Sequence, residues 1–155
     1  MGLNKKIETL KFQLDTFTAG RRDLVGIATK VKAEWDMEED ATTVVSDITR
    51  AQLNRVLHAT RAFDTSLRLF LDKFGGRSAT SHSISDYVND LQRNATATAG
   101  FNQLSGQIAT NIKNEVTKER NRYCHAAGAF PSKAQANFVI SRILEYHAVV
   151  MGLEK

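Results

Sequence analysis

Proline and cysteine are almost absent from this chain. Of 155 residues one is proline, Pro131, and one is cysteine, Cys124. A lone cysteine excludes an intrachain disulfide and fits a reducing compartment. A single proline near the C-terminal end leaves long stretches free to be helical. Long apolar runs are missing too. The opening "MGLNKKIETLKF" carries none, so neither a signal peptide nor a membrane span is expected, and a cytoplasmic location is. Lys6 stands where serine or threonine would complete a myristoylation signal. Neither sign of charge dominates: the formal net charge is +4 and the pI about 9.3. That modest excess suits a nucleic-acid partner without demanding one. No P-loop, dinucleotide fingerprint or "GxSxG" turn occurs, and no His, Cys or carboxylate pair has metal-ligating spacing. No metal or cofactor is expected. "NAT" at 94–96 matches a glycosylation sequon, which reads as a chance match without a secretion signal.

What is present is helical periodicity, with no strand-like alternation and no internal repeat. Leu3, Ile7, Leu10, Leu14, Phe17, Arg21, Leu24, Ala28, Val31 and Trp35 recur three and four apart. They predict one long amphipathic helix, with Arg21 breaking the stripe and Gly20 marking a bend. The acidic "DMEED" at 36–40 interrupts the pattern as a loop or the start of the next helix. A second helix is predicted from about Thr43 to Phe74, stopped by "GG" at 75–76. Ser83 with Asp86 marks the start of a short third helix. "NATATAG" at 94–100 reads as a frayed end or a loop. The fourth helix carries Phe101, Leu104, Ile108, Ile112, Val116, Glu119 and Tyr123. "AGAFP" ends it, and Ser132 with Gln135 forms a capping box for a fifth, whose stripe is Phe138, Val139, Ile143, Leu144, Val150 and Met151. Residues 1–155 therefore read as a single all-α domain, an antiparallel bundle of about five helices.

Most candidate chemistry reduces to packing. His58 and His147 fall among apolar positions and read as core-edge or surface histidines; His82, in a turn, reads as exposed. Cys124 beside His125 reads as a small packed cysteine, because adjacent helix residues point apart. "RNRYCH" at 120–125 is different. Asn121 and His125 are four apart and share a helix face. Arg120 and His125 are five apart, roughly 140° around the axis. They converge on one ligand if the helix end distorts, if the ligand is wide, or if two copies of the helix meet at a dimer axis. Histidine titrates near neutral pH and can move a proton; arginine binds phosphate through a planar fork; asparagine can orient either. RNA supplies its own nucleophile, the 2′-hydroxyl, so such a set could promote transfer to the neighbouring phosphate without a metal. A charged helix end with a satisfied histidine fits the same six residues.

"RNRYCH" resembles the R-x-x-x-x-H motif of HEPN ribonuclease domains, with a polar residue straight after the arginine. Those domains are small helical bundles in which the motif ends a late helix, before a turn and a final helix. "AGAFPSKAQANFVISRIL" supplies that turn and helix here. The motif resemblance covers about residues 116–150. It implies a HEPN-like bundle, with Arg120 and His125 catalytic and Asn121 supporting them. It also implies an endoribonuclease leaving 2′,3′-cyclic phosphate and 5′-hydroxyl ends, of the toxin or antiviral-defence kind. The implied partners are RNA, a second copy completing the site at a homodimer interface, and an antitoxin or regulatory protein. Lys113, Lys118, Arg122 and Lys133 lie near the motif in sequence and could hold RNA backbone, though each alone also fits a solvated helix face. Aromatic residues for base stacking are few: Tyr123, which also fits the core stripe, and Phe130. Two other readings stay open. One is a non-catalytic RNA-binding or regulatory module; the other is an interaction domain built on the long apolar stripe of the first helix.

Overall fold

Apolar side chains spaced three and four apart turn one face of each helix inward, and the result is an all-α bundle. The computed structural model describes residues 2–44, 47–93 and 100–155. Six helices are described. They are α1 (Leu3–Thr18), α2 (Arg22–Val44), α3 (Ile48–Phe74), α4 (Ile84–Arg93), α5 and α6 (Lys133–Met151). α5 is continuous but mixed: Gly106–Ile112 is α-helical, Lys113–Thr117 forms a π turn, and Lys118–His125 is α-helical again. Among the described residues the only strand-like pairing is one antiparallel bridge, Phe101 with Glu154. The bundle is all-α as expected.

α3 is the central rod. It packs against α2 on one side and α6 on another, and it also touches α4 and α5. Its buried Val56, Phe63, Leu67 and Phe70 meet Leu14, Trp35, Leu91, Ile112 and Ile143 in one continuous core. The apolar stripe of the N-terminal segment is spent on this core: Ile7, Leu10, Leu14, Leu24, Val31 and Trp35 are buried.

Several boundaries differ from the sequence expectation. The first helix is two helices. Gly20 adopts φ 80, in the left-handed region that glycine favours, so the chain turns there rather than bending. Arg21 N–H then reaches Thr18 O at 3.0 Å. "DMEED" is neither a loop nor a helix start but lies inside α2, because Glu38 turns inward to meet Arg55 at 2.9 Å. Thr43 therefore belongs to α2. α3 starts at Ile48, where Asp47 caps the backbone N–H groups of Thr49 and Arg50 at 2.9 and 3.4 Å. Phe101 is not helical. It is buried against the rings of Phe70 and Phe74, and α5 begins only after Ser105 caps Ile108 N–H at 3.2 Å. In α6, Phe138 is exposed and Met151 only half-buried, so neither is core. The reading of 94–99, sequon included, lies outside the described residues.

The ends of α3 and α6 follow the sequence closely. Gly75 closes α3 at φ 67, and Gly76 N–H returns to Leu71 O at 2.9 Å. Ser132 and Gln135 make the expected reciprocal capping box. Ser83 Oγ accepts from Asp86 N–H at 3.3 Å, and the Asp86 carboxylate accepts from His82 N–H at 3.2 Å. This last pair fixes the chain entering α4.

Candidate functional site

α5 carries the "RNRYCH" motif beside the middle of α3 and the start of α4. Its π turn widens the helix by one residue just before the motif, a feature that recurs at functional sites. Where α3, α4 and α5 meet, a cleft of about 500 Å³ opens, a volume suited to a nucleotide-sized ligand. Arg120 and Asn121 line it. The Arg120 Nη1 group donates to Asn121 Oδ1 at 3.1 Å, so one guanidinium N–H orients the amide beside it.

Among the residues lining the cleft are three charged or titratable side chains that the sequence did not point to. From α3 come Arg61 and Asp64; from the turn before α4 comes His82. Burial pushes the Asp64 carboxyl above the ordinary carboxylate range, and the positive charge of Arg120 opposes that shift. Arg61 also pairs with Glu34 on α2 at 2.9 Å. His82 is exposed as expected, with its side chain 87% accessible. Its Nδ1 lies 2.9 Å from the carbonyl of Thr80 and 3.6 Å from Asp86 Oδ2. Asp86 is held below the usual carboxylate range, first by the His82 backbone N–H that it accepts.

The other predicted site residues spread out. His125 ends α5, is exposed, and does not line the cleft. Within one chain, then, Arg120 and Asn121 share a cleft that His125 does not enter. Lys113 is half-buried and donates to Asn89 on α4 at 3.0 Å. Lys118 and Lys133 are exposed on α5 and at the start of α6. Arg122 pairs with Glu119 at 3.8 Å and lines a different groove, between α5 and α6, with Phe138. The four cations therefore form no single track. Tyr123 is buried in the core, whereas Phe130 is exposed.

No family model matches the chain, and no curated protein or solved structure matches it. The chemistry of the cleft rests on its own residues.

Two further expectations are corrected. Cys124 is exposed rather than packed, because it lies on the outer face of the last α5 turn while Tyr123 takes the inward position. His147 is not at a core edge. It is 2% exposed and neither ring nitrogen has a hydrogen-bond partner. Burial depresses its pKa to about 3, so it is neutral at any physiological pH. His58 sits at the core edge as expected, with Nδ1 2.8 Å from Glu34. Among the described residues no cluster of three or more His, Cys, Asp or Glu is placed to hold a metal ion, and no helix is long and apolar enough to cross a membrane.

A signal for the missed residues does exist in the sequence. Arg61, Asp64, Thr65 and Arg68 are three and four apart along α3, a polar row beside the apolar stripe of an amphipathic helix. Such a row on a central helix must face either water or another polar surface. His82 had no comparable signal, since its place depends on how the turn folds back over α3.

Proposed function

We propose that this protein is a metal-independent endoribonuclease of the HEPN kind, in which Arg120 and Asn121 hold the scissile phosphate. The observation that supports it is the placement of both residues, hydrogen-bonded to each other, in a polar cleft of nucleotide size. An arginine fork beside an orienting amide is suited to a phosphodiester and to the charge that builds on phosphorus during transfer. The reaction is attack of the 2′-hydroxyl on the adjacent phosphate. The O2′–P bond forms as the P–O5′ bond breaks, leaving a 2′,3′-cyclic phosphate and a 5′-hydroxyl. His125 is the histidine of the motif and serves the leaving 5′-oxygen as proton donor. Because His125 lies outside the cleft of its own chain, this role requires a homodimer, with a second copy at the α5 end. Lys118 and Lys133, both exposed near that end, would steer RNA backbone toward it. Toxin or defence activity, held in check by an antitoxin, follows from the family resemblance alone.

A second reading is favoured by one specific observation, the separation of His125 from the cleft. Arg61, Arg120 and Asn121 could grip RNA phosphate with no cleavage following, as a binding or regulatory module. The deciding experiment is RNA cleavage in EDTA by wild type and by His125→Ala, with product ends identified. The ribonuclease reading expects cyclic phosphate ends and a loss of about 10²–10⁴-fold in the variant. A folded wild type that binds RNA in a strongly salt-dependent way but never cuts it leaves the binding module.

A further inference from the structure

The cleft contains an imidazole that the motif does not supply. His82 lines it together with Arg120 and Asn121. The tautomer of its neutral ring is set by its neighbour. Thr80 offers a carbonyl oxygen 2.9 Å from Nδ1, and a carbonyl can only accept. Nδ1 therefore carries the hydrogen, and Nε2 keeps its lone pair. When the ring takes a second proton, the Asp86 carboxylate 3.6 Å from Nδ1 stabilises the imidazolium. Asp86 is itself fixed in place by His82 N–H and by its position on the first turn of α4. This arrangement prepares a general base: a fixed tautomer, a free nitrogen and a carboxylate behind the ring.

We infer that His82 is a catalytic residue of the cleft, the base that removes the 2′-hydroxyl proton from an RNA phosphodiester held by Arg120. The inference rests on the ribonuclease reading and completes its proton balance. The 2′-hydroxyl proton passes to His82 Nε2 as the O2′–P bond forms. The departing O5′ takes its proton from the imidazolium of His125. Both rings return to their starting states by exchange with water. The charged groups around His82 are Asp86 on α4, Asp64 and Arg61 on α3, and Arg120 on α5. Of these, Asp86 is the carboxylate placed at the ring itself, 3.6 Å from Nδ1.

The test is a pH–rate profile on a DNA oligonucleotide carrying one ribonucleotide, in EDTA, for wild type, His82→Ala and His125→Ala. The expected wild-type profile is a bell. His82→Ala should lose about 10²–10⁴ in rate and lose the acidic limb, while His125→Ala loses the alkaline limb. Added imidazole should restore part of the activity of His82→Ala, since the cleft is open to a small ligand; a residue that merely props the turn would not be rescued so. A His82→Ala protein that keeps wild-type rate and both limbs overturns the inference and leaves the ribonuclease reading standing. No cleavage by folded wild type overturns that reading, and with it the catalytic role of His82.

Discussion

Arg120 uses one of its five N–H donors on Asn121 and presents a planar, always charged group to the cleft. That geometry separates two contributions, charge and shape. Arg120→Lys keeps the charge and loses the fork, together with the bond that orients Asn121. The expected result is a fall of about tenfold or more in cleavage or RNA affinity, with Arg120→Ala falling further. Because Arg120 is exposed, both variants should stay within about 0.5 kcal/mol of wild-type stability. Single-turnover cleavage beside a denaturant melt reads both quantities. Full activity in Arg120→Lys would mean that only charge is needed, and the forked contact with phosphate would have to be abandoned.

At the scale of the element, two glycines give opposite predictions from one substitution. Gly20 lies between α1 and α2 at φ 80, with open space where a Cβ would be. Gly20→Ala therefore meets no clash, only backbone strain, and should cost roughly 1–2 kcal/mol. Gly26 lies inside α2, also with open space around it and with no unusual φ. Gly26→Ala should add about 0.5–1 kcal/mol of stability by helix propensity. Chemical denaturation of the two variants reads the sign directly, and a stabilised Gly20→Ala would mean that α1 and α2 are one helix after all. The same pair of residues shows what the sequence could reveal. Periodicity located the inward face of α1 and α2 because side-chain burial repeats along a helix. It made Gly20 a bend within one helix rather than a turn between two, since the stripe keeps its spacing on both sides. Acidic "DMEED" looked like a break and is none, because the partner that makes an inward Glu38 tolerable, Arg55, lies in the next helix. Local signals such as the Ser132–Gln135 box were legible for the opposite reason: both partners lie within one turn. The candidate site divides the same way. Spacing put Asn121 and His125 on one face, yet the cleft takes Asn121 with Arg120 and leaves His125 out, and Arg61, Asp64 and His82 reach it only through the packing of three helices.

The whole molecule holds two kinds of buried polar group, and they make different demands on the fold. Arg55 has a partner at each of its three nitrogens: Nε donates to Glu38 at 2.9 Å, Nη1 to Gln52 at 2.7 Å and Nη2 to Asn137 at 2.8 Å. It ties α2, α3 and α6 together. His147 on α6 has no such partners, and it makes the bundle sensitive to acid. Its folded pKa, about 3, lies below the ordinary histidine value of 6.5. Between those values the unfolded chain binds a proton that the folded chain refuses. The His147 contribution is therefore whole above about pH 6.5 and is lost as pH falls toward 3, by about 1.4 kcal/mol per pH unit. Glu38 and Asp64 act in the opposite sense, since burial raises their folded values and favours the protonated native form at lower pH. The comparison that isolates the histidine is wild type against His147→Leu, melted between pH 7 and pH 5. Wild type should lose about 2 kcal/mol relative to the variant over that interval. The carboxylates are common to both proteins and cancel in the difference. Parallel stability curves would show that His147 finds a partner or water inside the bundle and titrates as it does in the unfolded chain.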